Sequence, residues 1–108
     1  MLAWFVLWWK RRADHRRADA DARANRDRGT HCFYCGTAFS NTEAGLDRTV
    51  DHRLPRGQGG TDALVNMVFA CRACNERKAD RDEETFVATE WLADRRHRLG
   101  TDEEEPGH

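Results

Sequence analysis

Two C-x-x-C motifs constrain this chain more than any other feature. Cys32 and Cys35 lie in HCFYCG, Cys71 and Cys74 lie in ACRAC, and 35 residues separate the pairs. Structural zinc takes four ligands in a tetrahedron, with each sulfur about 2.3 Å from the metal. A C-x-x-C turn aims two thiolates at one point, and Gly36 suits the tight knuckle that such a turn needs. Cys71 and Cys74 are three residues apart and share a face at a helix start. The two pairs are therefore expected to form one closed Zn²⁺ site. Two disulfides or a redox-active C-x-x-C are the competing readings. The first has no secretory signal to support it, and the second has no βαβ setting. A closed four-thiolate site has no open coordination position, so any hydrolysis must happen at another centre.

A chain of 108 residues suffices for one small domain with a modest core. Its 18 Lys and Arg against 19 Asp and Glu give a formal charge of -1, unevenly spread. Residues 10–28 hold eight basic and four acidic residues, whereas residues 102–105 are all acidic. Binding nucleic acid by charge alone would call for a far more basic chain, so a nucleic-acid reading must rest on a local site. No run of about 20 apolar residues exists to make an ordinary membrane span.

Four zones follow. Residues 1–9 (MLAWFVLWW) are apolar and run into Lys10-Arg11-Arg12, without the basic start or cleavage site of a signal peptide. Three readings stay open for them: packing on the domain, shallow membrane contact by residues 1–12, or a misassigned start codon. Residues 10–28 form a charged helical arm without Gly, Pro or a wide apolar stripe, expected to be solvated or partly ordered, or to extend a DNA footprint. Gly29 is expected to stop it. Residues 29–100 are the dense α+β domain, and 101–108 an acidic tail expected to be disordered. Within the domain, strand-like pieces (Thr49–His52 and Leu64–Ala70) flank the turn-rich stretch 55–60. Helical composition begins near Arg72. A further helix is expected over 82–99, with a capping box of Asp80 and Glu83, a stop at Gly100, and a packing face of Phe86, Val87, Trp91, Leu92 and Leu99.

The other chemistry lies in residues 49–80, TVDHRLPRGQGGTDALVNMVFACRACNERKAD. Asp51 and His52 would face opposite sides of a regular strand, and a bend before Pro55 would bring both to one site. Asn66 begins the returning piece. Asn75 follows Cys74 and is rotated from it by about 100° on a helix, away from the zinc. Phosphodiester hydrolysis needs a deprotonated water, in-line attack and a cation on the leaving oxygen. A neutral His is a suitable base, and one carboxylate with one amide oxygen suits Mg²⁺ or Mn²⁺. A second amide would hold the His ring in the useful tautomer. Arg53, Arg56 and Lys78, with Arg77, are the candidate DNA phosphate contacts. Asp62 reads as a turn cap. His31 reads as a non-ligand, because the cysteines fill the zinc. His15 and His97 read as solvated.

Taken together, these residues resemble the HNH endonuclease family in its four-cysteine zinc form. The matching pattern is Cys32/Cys35, Asp51-His52 with Pro55, Gly59-Gly60, Asn66, then Cys71/Cys74 with Asn75 and Lys78, over about residues 31–80. The resemblance implies a small ββα-metal core flanked by N- and C-terminal helices. It implies that His52 is the general base, that Asp51 and Asn75 bind the catalytic Mg²⁺ or Mn²⁺, and that Asn66 braces the loop and orients His52. Asn75 departs from the His found in many members but keeps an oxygen ligand. The implied partner is double-stranded DNA, with one copy nicking and a homodimer or partner subunit needed to cut both strands. The Arg-, Ala- and Asp-rich usage fits a high-GC bacterium or its phage, and the expected setting is cytoplasmic. A non-catalytic zinc module that binds nucleic acid or protein is the alternative, and it has no need of the Asp51, His52 and Asn75 set.

Overall fold

The structure is a computed structural model that describes residues 16–101. The apolar segment 1–9, the start of the arm 10–28 and residues 102–108 of the tail lie outside the described residues. In chain order the elements are α1 (residues 16–28), β1 (Arg48–His52), β2 (Met67–Cys71), α2 (Arg72–Lys78), α3 (Glu83–Val87) and α4 (Glu90–Leu99). The class is α+β, as expected.

Strands β1 and β2 pair antiparallel, with Asp51 opposite Val68 and His52 opposite Met67. β2 starts three residues later than its apolar composition suggests, because Leu64–Asn66 form a 3-10 turn. β1 ends at His52, and the bond from Arg53 N to Asn66 O at 2.7 Å closes the ladder. Residues before Met67 therefore have no strand to pair with, and Leu64 is left 73% exposed.

The core is small: Tyr34, Leu46, Val68, Ala70, Phe86 and Leu92 pack around the four cysteines. Tyr34 meets Phe86 edge-on, with centroids 5.1 Å apart. The expected single helix over 82–99 is two helices. Asp82, not Asp80, caps α3 by accepting from Thr85 N at 2.8 Å. The chain then breaks at Ala88–Thr89, where the Thr89 side chain accepts from Leu92 N at 3.3 Å and starts α4. The break resets the helical phase. Phe86, Trp91, Leu92 and Leu99 pack inward, whereas Val87 is exposed. Gly100, at φ 72°, ends α4 as expected.

The arm is not free in solvent. Ala22 of α1 is fully buried. The Asn25 amide accepts from Phe69 N at 2.7 Å and donates to His31 O at 2.7 Å. Arg26 donates to Met67 O at 3.0 Å. These side chains satisfy the outer edge of β2 where a third strand would otherwise lie. Helix α1 is thus docked by polar side chains and alanines, which an apolar stripe does not reveal.

Candidate zinc centre and active site

The knuckle at 32–35 and the β2–α2 junction bring all four cysteines together. Each is buried, and their sulfurs all lie within 4.8 Å of one another. Cys35 Sγ and Cys71 Sγ are 3.9 Å apart. A tetrahedron with 2.3 Å Zn–S bonds has edges of about 3.8 Å, so the cluster fits one zinc ion with little movement. No disulfide joins the four. Two backbone amides already point at sulfur, Cys35 N at Cys32 Sγ and Cys74 N at Cys71 Sγ, both at 3.4 Å. Hydrogen bonds with Cys32 hold the Cys35 thiol down and the Cys71 thiol down to about 6, whereas the bond with Cys35 pushes the Cys32 thiol up and the bond with Cys32 pushes the Cys74 thiol up. The sulfurs thus share protons among themselves, and a metal ion would displace those that remain. Residue Cys71 both ends β2 and caps α2, so metal binding ties the hairpin to its helix.

The second centre lies at the other end of β1. Alternation places Thr49 and Asp51 on the face covered by α2. Asn75 of α2 donates to Thr49 Oγ1 at 3.0 Å and to Val50 O at 3.3 Å. The amide oxygen of Asn75 is therefore left without a partner among the described residues. Asp51 is only 6% exposed. Its carboxylate accepts from the Tyr34 hydroxyl at 2.5 Å and pairs with Lys78 Nζ at 3.3 Å. Burial, then the Asp51 charge, pushes the Tyr34 hydroxyl far up, so it stays a proton donor.

His52 faces the opposite way, so the bend expected before Pro55 does not bring its ring into contact with Asp51. Its Nε2 meets Asp62 Oδ1 at 2.8 Å, and Nδ1 has no partner among the described residues. The ring bonds neither Asp51, Asn66 nor Asn75. Asp62 sits in the loop held by Asn66, whose side-chain oxygen accepts from Leu54 N at 2.8 Å. The Asn66 nitrogen donates to Leu54 O at 3.0 Å and Thr61 O at 2.8 Å. Asn66 thus braces the loop, while Asp62 contacts the ring. Gly60 lets the loop close. A Cβ there would lie 1.8 Å from Leu54 O, so no other residue fits without a shift. Asp62 also accepts from Arg56 Nη2 at 2.6 Å. His52, then Arg56, hold its carboxyl below its usual 3.8.

Of the expected phosphate contacts, Arg56 is exposed and beside His52. Two others are corrected. Lys78 is fully buried, and its ammonium is spent on Asp51 and on His52 O at 2.8 Å. Arg53 is also engaged, by Glu83 at 2.9 Å and Asp19 at 2.8 Å. Burial pulls its pKa down, but these two carboxylates outweigh that and hold it up. Asp62, read from the sequence as a turn cap, contacts His52, and Tyr34, not singled out in the sequence, contacts Asp51. Asp62 follows the Gly-Gly turn and Tyr34 lies between two cysteines, and neither position by itself marks a contact 10 or 17 residues away.

The Asp51 and Asn75 oxygens are a sparse donor set. Among the described residues the only cluster of three or more His, Cys, Asp or Glu that could hold a metal is the cysteine set. One carboxylate and one amide oxygen fit a hydrated Mg²⁺ or Mn²⁺ that takes its remaining ligands from water and phosphate. Lys78 shares that carboxylate, which weakens the attraction for a cation.

Residues 32–81 match the family model described as HNH endonuclease. No curated protein and no solved structure matches the chain.

Proposed function

Because residues 32–81 form a domain of the HNH endonuclease family, we propose that this protein is a metal-dependent endonuclease that hydrolyses phosphodiester bonds of double-stranded DNA. The observation that carries the reading is the His52 ring. It sits at a strand end with Nε2 on Asp62 at 2.8 Å and Nδ1 without a partner among the described residues. A ring held in this way has its proton on Nε2 and a lone pair on Nδ1, which is the form a general base needs.

In the proposed reaction, Nδ1 takes a proton from water as the water oxygen forms a bond to phosphorus. The P–O bond on the far side breaks, and its electron pair goes to the leaving oxygen. Asp62 holds the resulting imidazolium in place. Arg56, exposed and held by Asp62 through Nε and Nη2, would turn from that carboxylate toward a phosphate oxygen. Asp51 and Asn75 would hold Mg²⁺ or Mn²⁺, and Tyr34 and Lys78 fix the Asp51 carboxylate. That ion, when bound, supplies the positive charge that offsets the charge growing on the leaving oxygen. The four cysteines would hold Zn²⁺ as a structural ion only. One such site handles one strand, so a single copy nicks, and cutting both strands takes two copies or two events.

The test is relaxation of supercoiled plasmid by zinc-loaded protein with Mg²⁺ or Mn²⁺. The wild type should make nicked circles that EDTA prevents, and His52→Ala should not. Equal cutting by both proteins would remove His52 from the mechanism. No cutting by a folded, zinc-loaded wild type would leave a zinc module that binds nucleic acid or protein.

A further inference from the structure

A second-sphere residue of the cysteine cluster comes from outside the matched segment. Arg95, on α4, is 8% exposed. Its Nη2 donates to Cys71 Sγ at 3.6 Å. Among the described residues no carboxylate lies within ion-pair distance of it, and its Nε has no partner at all. A buried guanidinium is costly unless it faces an anion. The nearest anion available to Arg95 is the thiolate cluster. The guanidinium carbon also lies over the Trp91 ring, 5.4 Å from its centroid.

We infer that Arg95 sets the zinc affinity of the site by donating to the Cys71 thiolate. Four thiolates and one Zn²⁺ leave a formal charge of -2 in a buried site. The backbone amides that reach sulfur, among them those of Cys35 and Cys74, bring only dipoles. Among the described residues, Arg95 brings the one full positive charge in contact with a sulfur. It also makes Cys71 the most heavily hydrogen-bonded of the four, with both Arg95 and Cys74 N as donors. Outer-sphere donors of this kind change metal affinity by about 10- to 100-fold. Helix α4 thereby acts on a site whose ligands all lie elsewhere.

This inference rests on the zinc reading, and one experiment separates the two. Wild type, Arg95→Met and Arg95→Lys are each titrated with zinc against a chromophoric chelator, and the cobalt-substituted forms are compared by visible absorption. A wild type that binds no zinc overturns the zinc reading itself. With a zinc-binding wild type, Arg95→Met should bind about 10- to 100-fold more weakly, and its sulfur-to-cobalt charge-transfer band should shift. Arg95→Lys, which keeps the charge, should recover most of the affinity. Unchanged affinity and an unshifted band in Arg95→Met would overturn the inference. Equal losses in the Met and Lys variants would do the same, by showing that packing alone is at stake. If Arg95→Met does not fold with zinc, Arg95→Gln replaces it in the same comparison with Arg95→Lys. A larger loss in Gln than in Lys supports the inference, and equal affinities overturn it.

Discussion

Replacing Lys78 with Met should destabilise this domain far more than replacing any exposed charge. The ammonium is fully buried and lies 3.3 Å from one Asp51 oxygen and 3.5 Å from the other. It also donates to His52 O at 2.8 Å. Lys78→Met keeps most of the apolar stem and removes only the charge. Asp51 is then left buried with the Tyr34 hydroxyl as its single donor, and the His52 carbonyl loses its charged partner. Breaking a buried pair from one side costs about 3–5 kcal/mol. That is a large share of the roughly 5–15 kcal/mol that holds a small domain together. With a urea dependence of about 2 kcal/mol per molar, the midpoint should fall by about 2 M. The assay is urea unfolding followed by circular dichroism, at a buffered free zinc level so that metal binding does not mask the change. Removing both charges, as Lys78→Met with Asp51→Asn, should recover much of the loss, because the uncompensated carboxylate is gone. A single variant that costs less than about 1 kcal/mol, or a double variant no better than the single, would refute the buried-pair reasoning.

Three further outcomes are expected. Chelating the zinc should unfold the domain, since structural zinc supplies on the order of 10–16 kcal/mol at neutral pH; loss of far-UV dichroism on adding a strong chelator, regained with zinc, is the measurement. Asp62→Ala should slow plasmid nicking on the order of 10-fold by freeing the His52 ring. Its melting temperature should stay near that of the wild type, because Asp62 is exposed. Gly60→Ala should also slow nicking, since the new methyl meets Leu54 O and displaces the loop that carries Arg56 and Asp62. Its zinc content, measured by metal analysis, should match that of the wild type.

What the sequence made legible was chiefly what is encoded by spacing. Cys32, Cys35, Cys71 and Cys74 meet because short turns and one helix turn aim their sulfurs locally, and only one long-range approach is needed. The strand–strand–helix order was legible for the same reason, in alternation followed by helical composition. The contacts around the candidate active site were not. Tyr34, Asp51 and Lys78 come from a knuckle, a strand and a helix, and each alone reads as an ordinary residue. The split between α3 and α4 hid behind a continuous helical composition, because a Thr hydroxyl at position 89 competes for the backbone. Lys78 and Arg53 read as surface cations because composition does not show the carboxylates waiting for them.

The grip of Asn25 and Arg26 on β2 bears on where this protein can be cut. The matched segment begins at residue 32, but Phe69 and Met67 find their outer hydrogen-bond partners at residues 25 and 26. A fragment trimmed to the matched segment would keep every cysteine and every candidate catalytic residue. Only the bond from Phe33 N to Phe69 O, at 2.9 Å, would then cover the outer margin of β2, leaving Phe69 N and Met67 O open to a second copy or to precipitation. The smallest portion that stays soluble therefore begins upstream of the chemistry, inside helix α1.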